Sequence, residues 1–232
     1  MATDVIYATF YVVLGMSIEF DRDDANIEKS NDLKVYSVPF SLREIKGTIN
    51  ILTHNSKDEI ITKAFKAHSK GEILEAAKYY EMYLDSGFTD AVVFSNYGII
   101  LKLLGKIKEA EKFQRKAIEL NKNFARGYYN LANTLKEIGN LKEAELFLRK
   151  AIELKIDFAE AYCNLSTILY TLGKLKDAEF FISKSIQYNP VNGKAYSNRG
   201  IILRELGQLK EAVLSHYKAI ELSPDVADLH YN

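Results

Sequence analysis

An all-α solenoid of repeated helix hairpins is the fold this sequence predicts, and three observations carry that expectation. Gly71, Gly105, Gly139, Gly173 and Gly207 stand 34 residues apart. Ala76, Ala110, Ala144, Ala178 and Ala212 keep the same interval. Between successive glycines lie two apolar stripes of helical spacing. A period of roughly 20–50 residues held without slippage marks stacked supersecondary units, each burying its apolar face on the next.

The stripes are clearest in residues 159–192. Tyr162, Leu165, Ser166 and Leu169 fall on one face of a helix, which Gly173 is expected to end by taking a left-handed C-terminal cap. Ala178, Phe181, Ile182, Ser185 and Ile186 form the face of a second helix, and Pro190 closes the unit. The period sets five units, 57–90, 91–124, 125–158, 159–192 and 193–226, with the start of a sixth at 227–232. A partly irregular N-terminal extension, 1–56, precedes them.

Small side chains recur where the helices must cross. Gly98, Ala132, Ser166 and Gly200 share one place in the first helix, and Ala117, Ala151, Ser185 and Ala219 share one in the second. The first unit is the loosest, with Lys63 for a leucine and Tyr83 for an alanine.

Composition narrows the function. The 31 basic and 31 acidic residues leave no net charge, which speaks against nucleic acid as a partner. The extension carries net −3 and residues 57–232 net +3. One cysteine, Cys163, excludes an intrachain disulfide and fits a reducing, cytoplasmic setting. Val5 to Ile18 is uncharged but shorter than the roughly 20 residues a membrane helix needs. It reads as a strand or an irregular apolar segment, with a weak membrane anchor as the alternative. Residues 21–34 read as a solvated linker, and the stretch after Pro39 as a short helix.

No catalytic constellation emerges. Phosphate-loop, nucleophile-elbow and zinc-protease patterns are all missing. His54, His68, His216 and His230 have no ligand spacing, and His216 and His230 fall at packing places. No enzyme activity, cofactor or metal is expected.

The small and large places together resemble the tetratricopeptide repeat. Tyr162, Leu165, Ser166, Leu169, Ala178, Ile182, Ser185 and Pro190 fill that family's pattern, and the match covers about residues 57–232. Lys122 and Ile156 depart from it, standing where the pattern has proline. The resemblance implies a right-handed superhelix whose first helices line a concave groove, with places 2, 5, 6, 9 and 12 of each unit facing it. The lead-in through residues 39–88 is also similar to certain cyanobacterial repeat proteins whose arrays precede a catalytic domain.

Place 6 reads Asn96, Asn130, Asn164, Asn198 and Asn232. Asparagine is an indifferent helix former, so its recurrence needs a reason. An amide can donate and accept, and the row is similar to the asparagine ladder that holds extended peptides in the O-linked N-acetylglucosamine transferase superhelix. Hydrogen bonding between neighbouring helices is the alternative. Around the amides stand Arg126 and Lys194 at place 2, Tyr129 at place 5 and Asn133 at place 9. Asn133, Asn164 and Lys194 match part of a carboxylate clamp, but Tyr129 and Asn198 replace its basic residues.

The expected function is therefore an interaction scaffold that binds an extended protein segment in the groove. A substrate-recruiting part of a larger transferase or oxygenase is the alternative, and an RNA-reading repeat a third reading that the neutral charge disfavours. The array stops within a sixth unit, leaving His216, Ile220 and Leu222 without a neighbour. That suggests either a truncated chain or end-to-end self-association.

Overall fold

The computed structural model describes residues 57–222, and every described element is a helix. Helix α1 runs through residues 57–69. It is followed by α2 (Ile73–Asp85), α3 (Ala91–Leu103), α4 (Ile107–Leu120), α5 (Ala125–Ile138) and α6 (Leu141–Leu154). Then come α7 (Ala159–Thr171), α8 (Leu175–Tyr188), α9 (Gly193–Glu205) and α10 (Leu209–Leu222). The expectations for residues 1–56, Pro224, His230, Asn232 and the sixth unit lie outside the described residues.

The periodic glycines mark the bend inside each hairpin. Gly71, Gly105, Gly139, Gly173 and Gly207 have φ of 74°, 77°, 91°, 74° and 76°, the left-handed region that a Cβ disfavours. The residue after each glycine donates its N–H back across the turn. Lys106 reaches the Leu101 carbonyl, Asn140 that of Leu135, Lys174 that of Leu169 and Gln208 that of Leu203, each at 2.9 Å. This satisfies carbonyls that the helix end would leave bare. At helix starts Asp90 accepts from the N–H groups of Val92 and Val93 at 2.8 and 3.1 Å. Asn192 accepts from Ala195 at 3.3 Å.

Each helix packs on the next. The first helices α3, α5, α7 and α9 also approach one another in succession, and no comparable approach joins α4, α6 and α8. The stack is thus tighter along its first helices, which places them on its inner side.

Small residues permit the crossings. Ala110, Ala117, Ala132, Ala144, Ala151 and Ala178 have no exposed surface. Serine replaces alanine where its hydroxyl finds a carbonyl: Ser166 Oγ donates to Ala178 O at 2.7 Å and Ser185 Oγ to Ala159 O at 2.8 Å. Each bond satisfies a buried hydroxyl that would otherwise cost stability. A Cβ on Gly200 would lie 2.6 Å from the His216 ring, so His216 takes the packing place expected of it, although it stays half-buried. The bulky Tyr83 is accommodated against Phe88, with ring centroids 5.2 Å apart.

The apolar core falls into two clusters. One runs from Ala64 to Ala110, the other from Leu131 to Ile202. Between them, on α4, sits Gln114, fully buried, with neither its Nε2 nor its Oε1 in a hydrogen bond. The equivalent places in other units hold Tyr80, Leu148 and Ile182, all fully buried, and the half-buried His216. A Cβ on Gly98 would lie 2.5 Å from Gln114 Cγ, so glycine there makes room for the amide chain.

Candidate peptide-binding face

The inner side is lined by α3, α5, α7 and α9, and the asparagine row lies along it. The amides of Asn130, Asn164 and Asn198 turn toward the preceding first helix. Asn130 Nδ2 donates to Ser95 Oγ at 2.9 Å, and both residues are buried. Asn164 Nδ2 donates to Asn133 Oδ1 at 2.6 Å and to Tyr129 Oη at 3.2 Å. Asn198 Nδ2 donates to Thr167 Oγ1 at 3.4 Å and lies 3.7 Å from Cys163 Sγ. Asn96 faces the Tyr80 hydroxyl, whose pKa burial raises to about 12.

The amides of Asn130, Asn164 and Asn198 therefore follow one rule: donate to the unit before. A carboxamide with its donor fixed this way keeps its carbonyl oxygen. Among the described residues no donor is bonded to Oδ1 of Asn130, Asn164 or Asn198. Asn130 is too deeply set to offer much surface, so Asn96, Asn164 and Asn198, which are half-buried, are the accessible members.

The other expected residues divide into two groups. Arg126 lays its guanidinium over the rings of Phe158 at 4.7 Å and Tyr129 at 5.5 Å, and stands 3.9 Å from Glu160. Those rings pack 4.9 Å apart, so Arg126, Tyr129, Asn133 and Asn164 form one connected patch. Lys194 acts electrostatically on both Lys136 and Cys163. The Cys163 thiol is buried and its pKa raised by that burial, while the cations of Lys194 and Lys136 pull the other way.

Lys136 was not singled out by the sequence reading. It sits one turn beyond Asn133 on α5, half-buried, with its pKa lowered first by desolvation and then by the like charges of Lys194 and Lys102. Lys102 is tied to Glu137 at 3.5 Å, but Lys136 has no carboxylate in salt-bridge reach among the described residues. Place 12 of each unit reads His68, Lys102, Lys136, Tyr170 and Arg204, a basic bias that could have flagged it. Phe158, fully buried between units, also escaped notice because it stands in a connecting turn.

Among the described residues no group of three or more histidines, cysteines or carboxylates could hold a metal ion. No described helix is long and apolar enough to cross a membrane.

Comparison with known proteins bears on this geometry. Two models of the tetratricopeptide repeat family match, one over residues 113–145 and the other over 91–124, 159–192 and 193–226. No curated protein sequence matches. Among solved structures, one of MamA is 25% identical, covering 71% of this chain and 96% of its own, with a TM-score of 0.63. YrrB, described as a TPR protein with an unusual peptide-binding site, is 23% identical over 76% of this chain and 92% of its own, with a TM-score of 0.61. PilF of Pseudomonas aeruginosa is 17% identical over 73% of this chain and 78% of its own, with a TM-score of 0.67.

Proposed function

The chain belongs to the tetratricopeptide repeat family, and from that premise we propose that it is an interaction scaffold whose inner face holds an extended, acidic segment of a partner protein. The observation that carries the reading is Lys136. Holding an ammonium half out of water in the field of two other lysines costs free energy, and an incoming carboxylate would offset it. Lys194, whose like charge also lowers the Lys136 pKa, adds to the positive field there. The unspent Oδ1 atoms of Asn164 and Asn198 supply acceptors for the N–H groups of an extended backbone, the contact that makes such binding tolerant of side-chain sequence. Arg126, Tyr129 and Asn133 form the neighbouring wall. YrrB, with its described peptide-binding site, has a comparable fold, which supports the reading by analogy.

The test is capture from an extract of the source cell, followed by isothermal titration of the captured segment. Lys136→Glu/Lys194→Glu should lose that segment while circular dichroism stays helical. Retention of the same segment by this variant would remove the groove assignment.

We propose further that the α10 end joins a second copy. Val213, Tyr217 and Ile220 are substantially exposed on that helix, which supports an end-to-end contact. Light scattering decides it: a mass that rises with concentration is expected, and a strict monomer would rule it out.

A further inference from the structure

An aromatic pair recurs inside the hairpins and is broken in the fifth unit. Phe94 faces Phe113 with ring centroids 5.8 Å apart, Tyr128 faces Phe147 at 5.8 Å, and Tyr162 faces Phe181 at 6.1 Å. These are the same two places in units two to four, 34 residues apart. In the fifth unit Tyr196 keeps the first place, but Ser215 stands at the second. The Ser215 hydroxyl donates back to the Glu211 carbonyl at 2.9 Å, so it is satisfied on its own helix and does not fill the room a ring would take. Tyr196 has no ring partner among the described residues. A cleft of about 220 Å³ opens there, lined by Tyr196, Arg199, Glu211, Leu214 and Ser215. A cavity of roughly 150 Å³ already admits a benzene ring, so a phenyl group fits.

The walls suit an aromatic face. In units three and four the second ring lies under an arginine of the preceding second helix: Arg115 is 5.8 Å from the Phe147 centroid and Arg149 is 5.1 Å from that of Phe181. The corresponding residue before the fifth unit is Ser183. There Arg199 of α9 supplies the guanidinium instead, and Glu179 holds it, accepting from its Nε and Nη2 at 3.3 and 3.2 Å. A guanidinium paired along its edge keeps its flat faces for a ring. Leu214, 68% exposed, adds apolar wall. The Glu211 carboxylate is exposed and makes no ion pair or hydrogen bond among the described residues. Lys218, whose charge responds to Tyr196, is tied to Glu221 at 2.8 Å. With Arg199 and Lys218 both paired, Glu211 leaves the rim slightly acidic, which favours a neutral ring and N–H donors over an acidic guest.

We propose that this cleft takes the phenylalanine side chain of a segment of a partner protein, completing from outside the pair that Phe113, Phe147 and Phe181 complete from within. The ring lies between Tyr196 and Leu214 with the Arg199 guanidinium against its face, and Glu211 at the rim accepts a backbone N–H of the segment. A ring carried on a chain suits this open site better than a free small molecule, whose sites enclose most of the ligand. The contact is separate from the inner face and does not depend on it.

The test is NMR of the isotope-labelled full chain, titrated with the peptide acetyl-Gly-Ser-Phe-Ser-Gly-amide. Amide signals of Tyr196, Leu214 and Ser215 should shift, and alanine in place of the peptide's phenylalanine should weaken binding by about tenfold or more. Cyclohexylalanine, a ring of like size without a π face, should bind less tightly than phenylalanine, and Arg199→Gln should remove that preference. Ser215→Phe should abolish binding by filling the cleft from within. Lys136→Glu/Lys194→Glu should bind the peptide like the parent chain. Circular dichroism checks that each variant stays helical, and the peptide series decides the matter on the parent chain even if Ser215→Phe does not fold. Shifts confined to other helices, binding that persists in a folded Ser215→Phe, or equal affinity for phenylalanine and cyclohexylalanine would overturn the proposal. So would benzyl alcohol binding as tightly as the peptide, the mark of a small-molecule site. Loss of self-association in Ser215→Phe, measured by light scattering, would name a second copy as the occupant and overturn it too.

Discussion

Asn164 on α7 donates its side-chain amide to Asn133 on α5 at 2.6 Å, so the row of asparagines is wired along the stack. Replacing Asn164 by alanine should cost about 0.5–1.5 kcal/mol, the net worth of an ordinary hydrogen bond. Asn130→Ala should cost more, about 1–3 kcal/mol, because it strands the fully buried Ser95 hydroxyl. Urea unfolding of both variants checks the order. Equal, negligible losses would mean that the amides do not hold the units together.

Gln114 predicts the opposite sign. Its buried amide has no partner, and the equivalent places elsewhere hold Tyr80, Leu148, Ile182 and His216. Gln114→Leu should stabilise the chain by about 1–3 kcal/mol, the usual cost of an unsatisfied buried polar group. A lower melting temperature in this variant would show that the amide is satisfied by water or by a rearranged neighbour.

Ala144 and Ala178 have no exposed surface at the crossing of their helix pairs. Ala144→Leu and Ala178→Leu should each destabilise by about 1–3 kcal/mol through overpacking. Unchanged thermal unfolding of both would contradict the crossing as described.

His68 gives a pH test. Burial holds its pKa below the ordinary 6.5, and its Nδ1 lies 3.0 Å from Tyr80 Oη. As pH falls through 6.5 the unfolded chain takes up the proton first, so the stability contributed by a neutral His68 is complete above that value and is lost below it. His68→Gln should therefore show a shallower drop in melting temperature between about pH 7 and 5 than the parent chain. Parallel curves would place the acid sensitivity elsewhere.

The hairpin bends and helix crossings were legible because they repeat. Gly173 and Ala178 are fixed by backbone geometry and by close approach, and both constraints recur in every unit. Gln114 was not legible, since only its neighbours reveal that its amide goes unpaired. The asparagine row could be seen, but not which way it pointed: an amide carries a donor at one end and an acceptor at the other. Only the positions of Ser95, Asn133 and Thr167 fix the donor inward along the stack. In the sequence Lys136 is like any helix lysine; its half-burial and the like charges of Lys194 and Lys102 set it apart.

The most direct test of a partner segment in the inner groove is site-specific photocrosslinking. A benzophenone side chain in place of Tyr170, at place 12 of its unit on α7, is irradiated in the presence of the partner captured from the source cell, and the adduct is mapped by mass spectrometry. A crosslink to one contiguous, acidic segment of the partner is expected, and the Lys136→Glu/Lys194→Glu background should abolish it. A partner that remains bound yet yields no adduct from Tyr170 would contradict the account.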